Sequence, residues 1–341
     1  MFNESEKESG KMQTILVTGG AGYIGNVISS LALQNGYKVR VVDLLWFKKD
    51  IPLMHLANPN YEFIRGDIRD KCLINRALDG VDFIIHTAAV VGEPASKKFP
   101  ELTYEINYEA SVNLFQQASQ KGIKGLFFFS TCSNYGVADG IATEEAQLQP
   151  LSLYSETKVN AEKYFINSDK GLDWVICRLS TVYGVSPRMR FDLTVNEFAM
   201  NGYLKKYLDV FLPYTYRPYI HVFDVARTVL EMINKFDKVK NNIFNVGYAG
   251  QNYQKIQVVE AVTRVIPDLV VDITEKGKDL RDYKVDFSKL KKYLDLENLY
   301  AVDDGVREVI ELLRSGLITD TNNSIYHNNY PDIGEEIENR T

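Results

Sequence analysis

A tyrosine and a lysine four residues apart are the side chains of this sequence best suited to acid–base chemistry. They occur in the segment Tyr154-Ser-Glu-Thr-Lys158, and residues i and i+4 of a helix share one face. A phenol is a poor base at neutral pH because its reference pKa is near 10, but one ammonium about 4 Å away supplies roughly the 4 kcal/mol that brings this pKa to about 7. We therefore expect Lys158 to make Tyr154 a phenolate that takes a hydroxyl proton during hydride transfer. The alternative is a surface tyrosine beside a solvated lysine.

A threonine upstream of this pair offers a second group for the same chemistry. Ser130-Thr131-Cys132-Ser133 follows an apolar run typical of a buried strand. Open parallel sheets bind ligands at the carboxyl ends of their strands, so Thr131 is predicted to hydrogen-bond the substrate oxygen that Tyr154 deprotonates. The alternative is a polar turn that only ends the strand.

A glycine-rich loop near the N-terminus has the spacing of a dinucleotide-binding turn. Thr18-Gly-Gly-Ala-Gly-Tyr-Ile-Gly25 contains Gly-x-Gly-x-x-Gly, and it stands between a predicted strand and a predicted helix. Glycine permits the tight turn and lets the backbone approach a pyrophosphate at the helix N-terminus, where free N–H groups favour anions.

Two carboxylates follow the next two predicted strands. Asp43 ends the second strand and can accept hydrogen bonds from the hydroxyl groups of an adenosine ribose. It would repel a 2′-phosphate, which favours NAD over NADP as the cofactor. Asp67, in Gly66-Asp67-Ile68, follows the third strand, where the edge of the adenine would lie.

The elements that must position these groups alternate between strand and helix. Six strands are predicted at 14–18, 38–43, 61–65, 82–87, 125–130 and 173–178. Helices are predicted at 23–35, 103–121 and 150–167, and this alternation indicates an α/β fold with a doubly wound parallel sheet covered on both faces. After residue 186 the rhythm loosens, with strand-like segments near Ile220 and 243–246, which predicts a smaller α/β lobe. The predicted division is a polar extension at 1–12, a dinucleotide-binding domain at 13–185, a lobe mainly for substrate at 186–320 and a tail at 321–341, of which Ile325 and Tyr326 could dock locally.

Composition narrows the functional class. The net charge of −6 gives no general attraction to nucleic acid or to an anionic membrane, and no apolar run is long enough to span a bilayer. Three widely spaced cysteines without a Cys-x-x-Cys motif indicate a reduced, cytoplasmic setting. The four histidines lack metal-ligand spacing, so no metal site is predicted.

Taken together, these motifs resemble the extended short-chain dehydrogenase/reductase family, the nucleotide-sugar epimerases and dehydratases. The resemblance covers about residues 13–315. It is carried, in order, by the glycine loop, Asp43, Gly66-Asp67, His86-Thr-Ala-Ala89, Asn107, the turn at 130–136, Tyr154 with Lys158, and Arg178 with Val182-Tyr183-Gly184. In the second lobe it continues through Arg217-Pro-Tyr-Ile-His-Val-Phe-Asp224, Phe244-Asn-Val-Gly247 and Leu280-Arg281-Asp-Tyr-Lys-Val-Asp286.

The resemblance implies a Rossmann-type domain, NAD as the cofactor and a nucleotide-diphosphate sugar as the substrate. It implies a catalytic triad of Thr131, Tyr154 and Lys158, with Asn107 as a structural residue of a central helix. The implied cofactor-binding residues are Gly19, Gly22, Tyr23, Ile24, Gly25, Asp43, Asp67, Ile68, Ala88, Ala89, Asn107, Tyr154 and Lys158. The implied substrate-binding residues are Thr131, Thr181, Arg190, Asn196, Arg217 and Arg281. Arg217 and Arg281 would clamp the diphosphate, for which a guanidinium fork is well suited, although without the resemblance both would be expected in solvent.

Departures from the family pattern refine the expected activity. The 4,6-dehydratases of the family carry an Asp-Glu pair after the catalytic threonine, whereas this chain has Cys132 and Ser133. Water elimination is therefore not expected, and the expected reaction is oxidation of a ring hydroxyl, at C4, by an epimerase. A net 4-dehydrogenase that releases a 4-keto sugar is the alternative, followed by a 4,6-dehydratase or a non-catalytic NAD-binding protein. Thr181 stands where the family often has asparagine, and Arg188 and Arg190 could either meet an anionic substrate or lie in a solvated loop.

A homodimer is also implied, because in this family the helices at 103–121 and 150–167 pair across a two-fold axis. The candidate contact residues are Tyr104, Tyr108, Leu114, Phe115, Tyr164 and Phe165. Packing within one chain is the alternative for the same side chains.

Overall fold

The computed structural model describes residues 12–137, 140–169, 171–275 and 282–328. Its strands are β1 (Thr14–Thr18), β2 (Lys38–Asp43), β3 (Tyr61–Arg65), β4 (Phe83–His86), β5 (Gly125–Thr131), β6 (Ile141–Ala142), β7 (Asp173–Leu179), β8 (Thr181–Tyr183), β9 (Tyr207–Phe211), β10 (Tyr216–His221), β11 (Asn242–Val246), β12 (Asn252–Gln254), β13 (Val270–Thr274) and β14 (Lys284–Val285). Its α-helices are α1 (Tyr23–Gln34), α2 (Lys71–Ala77), α3 (Glu93–Lys98), α4 (Pro100–Tyr104), α5 (Ala110–Ala118), α6 (Leu153–Ile166), α7 (Thr194–Lys205), α8 (Val222–Asn234), α9 (Phe236–Val239), α10 (Lys255–Val265), α11 (Ser288–Leu294) and α12 (Val302–Arg314).

Seven of these strands form one parallel sheet in the order β11-β7-β5-β4-β1-β2-β3. The order reverses between β1 and β4, which is the arrangement of a doubly wound Rossmann-type sheet. Alternate side chains of β1 enter two different hydrophobic cores, because Ile15 and Val17 pack on one face of the sheet and Leu16 packs on the other. The predicted fold class is therefore confirmed.

The second half of the chain contributes to this sheet as well as to a smaller lobe. Strand β11 pairs with β7 and extends the sheet at its edge, and α8 packs against α1. A separate three-stranded sheet of β8, β10 and β12 carries the region after residue 180. The chain therefore passes between the seven-stranded and the three-stranded sheet more than once after β7. A single boundary at residue 186 does not describe these crossings, and the domain division stays a prediction.

Two of the predicted helices differ in detail from the sequence expectation. The helix expected at 103–121 is interrupted by a π-helical turn at Glu105–Glu109 between α4 and α5, a local widening that is often found at functional sites. The helix expected from residue 150 begins at Leu153, because Ser152 caps it through reciprocal hydrogen bonds with Ser155.

The tail begins as an ordered segment where the structure describes it. The Tyr326 carbonyl accepts a hydrogen bond from the Phe191 N–H at 3.0 Å, and the two rings meet edge to face. Local docking of Tyr326 is therefore confirmed, whereas residues 1–11 and 329–341 lie outside the described part.

Among the residues that the structure describes, no helix is long and apolar enough to cross a bilayer. In the same part of the chain, no group of three or more histidine, cysteine or acidic side chains is placed to hold a metal ion. Cys72, Cys132 and Cys177 are free thiols.

Candidate active site

Thr131, Tyr154 and Lys158 meet at the carboxyl end of the central sheet. Thr131 is the last residue of β5, and Tyr154 and Lys158 lie one helical turn apart near the start of α6. The Thr131 side chain lies close enough to the Tyr154 phenol to lower the pKa of that phenol. Thr131 Oγ1 also accepts a hydrogen bond from the Ser133 N–H at 3.1 Å, which fixes the position of the hydroxyl. The structure thus brings together the three side chains singled out for proton transfer.

The electrostatics of this cluster differ from the sequence expectation. Burial raises the pKa of Tyr154 to about 12, against the lowering effects of the Arg190 charge and of the hydrogen bond to Thr131. Burial also lowers the pKa of Lys158 to about 7, although the nearby Glu162 carboxylate raises it. Because Lys158 is only partly protonated at pH 7, its charge cannot by itself produce the predicted phenolate. In this structure Tyr154 is a protonated phenol at neutral pH.

A buried ion pair between β7 and α6 stabilises the elements that carry this cluster. Arg178 of β7 donates to Glu162 of α6, with Nη2 2.7 Å from Oε2. Ser130 and Asn134 donate to Oε1 of the same carboxylate. Both charges of the pair are almost fully buried, and this degree of hydrogen bonding is what makes buried charges tolerable. The network holds α6 against β5 and so fixes Lys158, whose ammonium lies over the Phe128 ring at 4.6 Å.

The glycine loop forms one wall of a deep cavity, here called the cofactor cavity. Gly19 has φ +73, and a Cβ there would lie 2.7 Å from the Ala88 nitrogen. A Cβ on Gly25 would lie 2.3 Å from the Gly19 oxygen, so only glycine allows α1 to start this close to the loop. Among the described residues, no side chain caps the first turn of α1, which leaves its N–H groups to an anion.

Asp43 also lines this cavity. Its Oδ2 accepts a hydrogen bond from the Ala21 N–H at 3.0 Å, and its Oδ1 accepts one from the Leu45 N–H at 2.7 Å. Each carboxylate oxygen can accept a further hydrogen bond. The carboxylate is thus oriented by the backbone and remains able to accept from ribose hydroxyl groups.

The other predicted cofactor contacts fall into two groups. Those that line the cofactor cavity are Gly19, Gly22, Tyr23, Ile24, Gly25, Asp43, Asp67, Ile68, Ala88, Ala89, Tyr154 and Lys158. Asp67 is also ion-paired with Arg69, whose Nη2 lies 2.7 Å from Oδ2. Asn107 is fully buried away from the cavity, where its amide bonds both the N–H and the carbonyl of Val90. It holds the loop after β4 in place, which agrees with the structural role implied for it.

A second cavity, here called the substrate cavity, adjoins the first at Tyr154. Both cavities share Tyr23, Ile24, Val91, Ser130, Tyr154, Leu179, Arg190 and Asn328 in their walls. Thr131 and Thr181 line the substrate cavity. Arg190 forms a two-point ion pair with Asp192, with Nη2 2.7 Å from Oδ2 and Nε 3.1 Å from Oδ1. The guanidinium beside Tyr154 is therefore largely neutralised.

The remaining predicted substrate residues are placed differently. Asn196 does not line either cavity, because its amide accepts from the Gly184 N–H and donates to the Arg190 carbonyl within the protein. Arg217 is not among the described residues that line the substrate cavity, and its guanidinium lies 5.3 Å from the Tyr283 ring. Arg281 lies outside the described residues. Tyr283 itself lines the cavity, and the sequence analysis did not single it out.

Several side chains in the cofactor cavity were missed or left open by sequence reasoning. Trp46, Phe47 and Thr87 line it, and nothing in their spacing distinguishes them from core residues. Arg188 also lines it and is 2 % exposed, so a solvated loop is wrong for this residue. The proximity of Ser186-Pro-Arg to the glycine loop is a tertiary contact that the sequence does not carry.

The two positions at which the dehydratases carry an Asp-Glu pair have no carboxyl group in this chain. Cys132 is 1 % exposed, and its thiol contacts the Arg178 carbonyl. Burial raises the pKa of this thiol. Ser133 lines the substrate cavity and supplies only a hydroxyl. Neither side chain can protonate a leaving hydroxyl or remove a carbon-bound proton at neutral pH.

Comparison with known proteins agrees with this geometry. A family model described as the NAD dependent epimerase/dehydratase family matches residues 15–247. A UDP-glucose 4-epimerase of Lactobacillus helveticus is 28 % identical over 272 residues, covering 74 % of this chain and 81 % of that protein. The structure of a UDP-glucose 4-epimerase from Thermotoga maritima with UDP-glucose is 26 % identical, with a TM-score of 0.79 over 90 % of this chain and 100 % of that one. A dTDP-glucose 4,6-dehydratase from Bacillus anthracis in complex with NAD is 25 % identical, with a TM-score of 0.76 over 89 % of this chain and 97 % of that one.

Proposed function

Because the chain belongs to the NAD-dependent epimerase/dehydratase family, we propose that it is a nucleotide-sugar 4-epimerase that uses NAD as its cofactor. The observation that carries the proposal is the placement of Tyr154 beside Thr131 at the junction of the two cavities. A sugar hydroxyl that enters from the substrate cavity meets both oxygens there, next to the space for a nicotinamide.

The proposed first step removes the elements of a hydride and a proton from one ring carbon and its hydroxyl. The nicotinamide ring, when bound, is the hydride acceptor. Tyr154 first releases its own proton to solvent and becomes a phenolate. Thr131 orients the sugar hydroxyl by a hydrogen bond, and the Tyr154 phenolate takes the hydroxyl proton at Oη. Lys158 in its charged form lowers the cost of the negative charge on Tyr154. In an epimerase, the resulting keto sugar then turns and takes the hydride back on its other face.

The chemistry of the side chains favours epimerisation over dehydration. Cys132 and Ser133 supply no carboxyl group at the position where the dehydratases carry their acid and base. The carboxylates that line the described part of the substrate cavity are Glu93 and Asp192, and Asp192 is held by Arg190 with its pKa lowered mainly by that guanidinium's charge, against the opposing effect of burial. A 4,6-dehydratase is therefore the weaker assignment.

A net 4-dehydrogenase is the second candidate, because it shares the first step and needs the same three side chains. The two activities differ in the fate of the cofactor: an epimerase returns it to NAD⁺ in every cycle, whereas a dehydrogenase releases NADH in proportion to product. A non-catalytic NAD-binding protein would need none of the proton-transfer groups.

The decisive experiment follows turnover of a panel of nucleotide sugars by wild type and by Tyr154→Phe. We expect wild type to interconvert two C4 stereoisomers without net NADH release, and the variant to lose at least about a hundredfold in rate. The variant should bind NAD⁺ as wild type does, since its ring still lines the cavity. Full turnover by Tyr154→Phe would contradict the mechanism, and accumulation of NADH with a keto sugar would favour the dehydrogenase.

The substrate contacts proposed for this reaction are Thr131, Thr181 and Arg190, with Arg217 and Arg281 as proposed partners of the diphosphate. We also propose that the protein is a homodimer and that it works in the cytoplasm. The dimer proposal rests on the exposed side chains of Tyr104 in α4 and Ile166 in α6.

A further inference from the structure

Arg188 is a buried cation whose hydrogen bonds are incomplete. It is 2 % exposed, and its Nε and Nη2 have no hydrogen-bond partner among the described residues. A guanidinium buried without partners costs several kcal/mol, so a protein rarely retains one unless something else completes it. Both atoms belong to a side chain that lines the cofactor cavity.

The surroundings of Arg188 hold its guanidinium in one orientation. The group stacks on the Phe47 ring with its central carbon 3.7 Å from the ring centroid. Such stacking keeps the plane of the fork fixed and leaves its edge free to donate in that plane. The edge of the fork is where Nε and Nη2 lie, so the two unpartnered donors can act as a pair.

The loop that carries Arg188 is anchored to the glycine loop. The Ser186 hydroxyl donates to the Tyr23 carbonyl at 2.7 Å, and the Tyr23 hydroxyl donates to the Gly184 carbonyl at 2.6 Å. Tyr23 is the first residue of α1, whose N-terminus faces the cavity. The loop therefore lies against the start of α1 and is not free to swing away.

Arg188 lines the same cavity as Asp43 and Tyr154. Burial raises the pKa of Asp43, and the nearby Arg188 charge opposes that rise. Burial lowers the pKa of Arg188, and the charge of Arg190, which lies beside Tyr154, lowers it further. If Asp43 binds the adenosine ribose and Tyr154 adjoins the nicotinamide, the middle of the cavity holds the part of a dinucleotide that joins the two nucleosides. That part is the pyrophosphate.

We propose that Arg188 is the counter-charge for the pyrophosphate of NAD, donating from Nε and Nη2 to phosphate oxygens opposite the N-terminus of α1. This inference rests on the NAD-binding role of the cofactor cavity and adds a residue to it. The pyrophosphate is then held between backbone N–H groups on one side and a two-pronged guanidinium on the other.

Two other phosphate groups could in principle meet Arg188. The diphosphate of a sugar nucleotide would enter the substrate cavity, whose lining does not include Arg188. A 2′-phosphate on the adenosine ribose would lie next to Asp43, whose carboxylate repels it. The cofactor pyrophosphate is the phosphate source that both observations allow.

The test measures binding by calorimetry for wild type, Arg188→Met and Arg188→Lys, without any sugar nucleotide. We expect Arg188→Met to weaken NAD⁺ and ADP-ribose alike by between about tenfold and a hundredfold, and to change adenosine by less than about twofold. Lysine keeps the charge but loses the fork, so Arg188→Lys should give an intermediate loss. Arg264→Met is the matched control, because Arg264 carries the same charge in an exposed pair with Asp303.

A second readout separates this role from a structural one. An unpaired buried charge destabilises the protein without cofactor, so Arg188→Met should unfold at the same or a higher temperature than wild type in the absence of NAD⁺. Its rise in melting temperature on adding NAD⁺ should be smaller. A lower melting temperature with unchanged NAD⁺ affinity would overturn the proposal, as would an equal loss of affinity for adenosine. An incorrect sugar assignment would leave these binding results intact.

Discussion

At the scale of single residues, burial dominates the acid–base chemistry of this site. The pKa of Tyr154 is raised to about 12 and that of Lys158 is lowered to about 7, and in both cases the main cause is loss of water. The two shifts oppose the transfer of a proton from Tyr154 to solvent. Lys158 is the one of these two groups whose charge changes near neutral pH.

The pH dependence of the first oxidation step follows from these two values. Below pH 7, Lys158 is charged and Tyr154 is a protonated phenol, so the phenolate fraction and the rate should rise about tenfold per pH unit. Above pH 7, Lys158 loses its proton, and the rise should become less steep. The measurement is single-turnover reduction of bound NAD from pH 6 to 9, and a flat profile over that range would contradict the assignment of Tyr154 as the base.

Thr131→Val tests the hydrogen bond that partly offsets the burial of Tyr154. Loss of the hydroxyl should raise the pKa of Tyr154 further, so the rising limb should move to higher pH and the rate at pH 7 should fall by about tenfold to a hundredfold. Thr263→Val removes a hydroxyl from α10, outside both cavities, and is the matched control. An equal loss of rate with an unmoved limb would indicate that Thr131 only positions the sugar.

Residue types and spacing predicted Tyr154, Lys158, Thr131 and the glycines, because each of these depends on local geometry or on the end of one strand. They could not place Asn196 or Arg188. The side-chain amide of Asn196 is hydrogen-bonded to the backbone of Gly184 and Arg190. The Arg188 guanidinium packs on Phe47, which comes from another part of the chain. A polar side chain in a loop shows its partners only after the loop is packed.

At the scale of elements, one buried histidine links two strands and a helix. Thr18 of β1 hydrogen-bonds His86 Nδ1 at 2.7 Å, and His86 Nε2 contacts the Ser111 hydroxyl at 2.8 Å. Ser111 donates to the Asn107 carbonyl, so His86 must donate from Nε2 and accept at Nδ1. Burial lowers the pKa of His86 to about 3, with a smaller contribution from the Lys158 charge.

This histidine should make the protein sensitive to acid. Below pH 6.5 the unfolded chain takes up a proton that the folded chain refuses until about pH 3, so the free energy of unfolding falls as the pH falls through this range. The expected contribution is about 1.4 kcal/mol per pH unit, or about 3 kcal/mol between pH 6.5 and 4. Urea unfolding at several pH values, compared between wild type and His86→Gln, measures it. His327→Gln controls for the loss of a histidine, and equal slopes in all three proteins would refute the role of His86.

The central strands were predictable because each is a short run of β-branched or aromatic residues that ends in a glycine or polar turn. The observed β1, β2 and β3 have the predicted bounds. The pairing of β11 with β7 was not predictable, because the choice of sheet depends on long-range packing. The π-helical turn was also missed, since its wider spacing leaves the apolar pattern of the segment unchanged.

At the scale of the whole molecule, the helices beside the active site carry an exposed apolar face. The predicted contact residues divide by burial: Leu114, Phe115 and Phe165 are at most 1 % exposed and belong to the core. Tyr104 is 42 % exposed and packs on Tyr108 at the rim of a surface groove. Ile166, which the sequence analysis did not single out, is 44 % exposed. Packing within the chain therefore accounts for the first three, and the dimer proposal depends on the surface residues.

A two-fold contact through this face predicts that charge placed there separates the subunits. Tyr104→Glu with Ile166→Glu puts four carboxylates into one symmetric interface, because each substitution occurs twice, and each also loses about 1.5 to 3 kcal/mol of apolar burial. Light scattering should give wild type about twice the chain mass of 38.9 kDa, and the double variant a mass near that of one chain. The control is Leu317→Glu, which alters an exposed leucine just after the end of α12. This variant should keep the dimer mass of wild type. Since none of these side chains lines either cavity, NAD⁺ affinity measured alongside should be unaffected unless the partner supports α6. A monomeric wild type, or a double variant that keeps the dimer mass, would show that this face does not join the subunits.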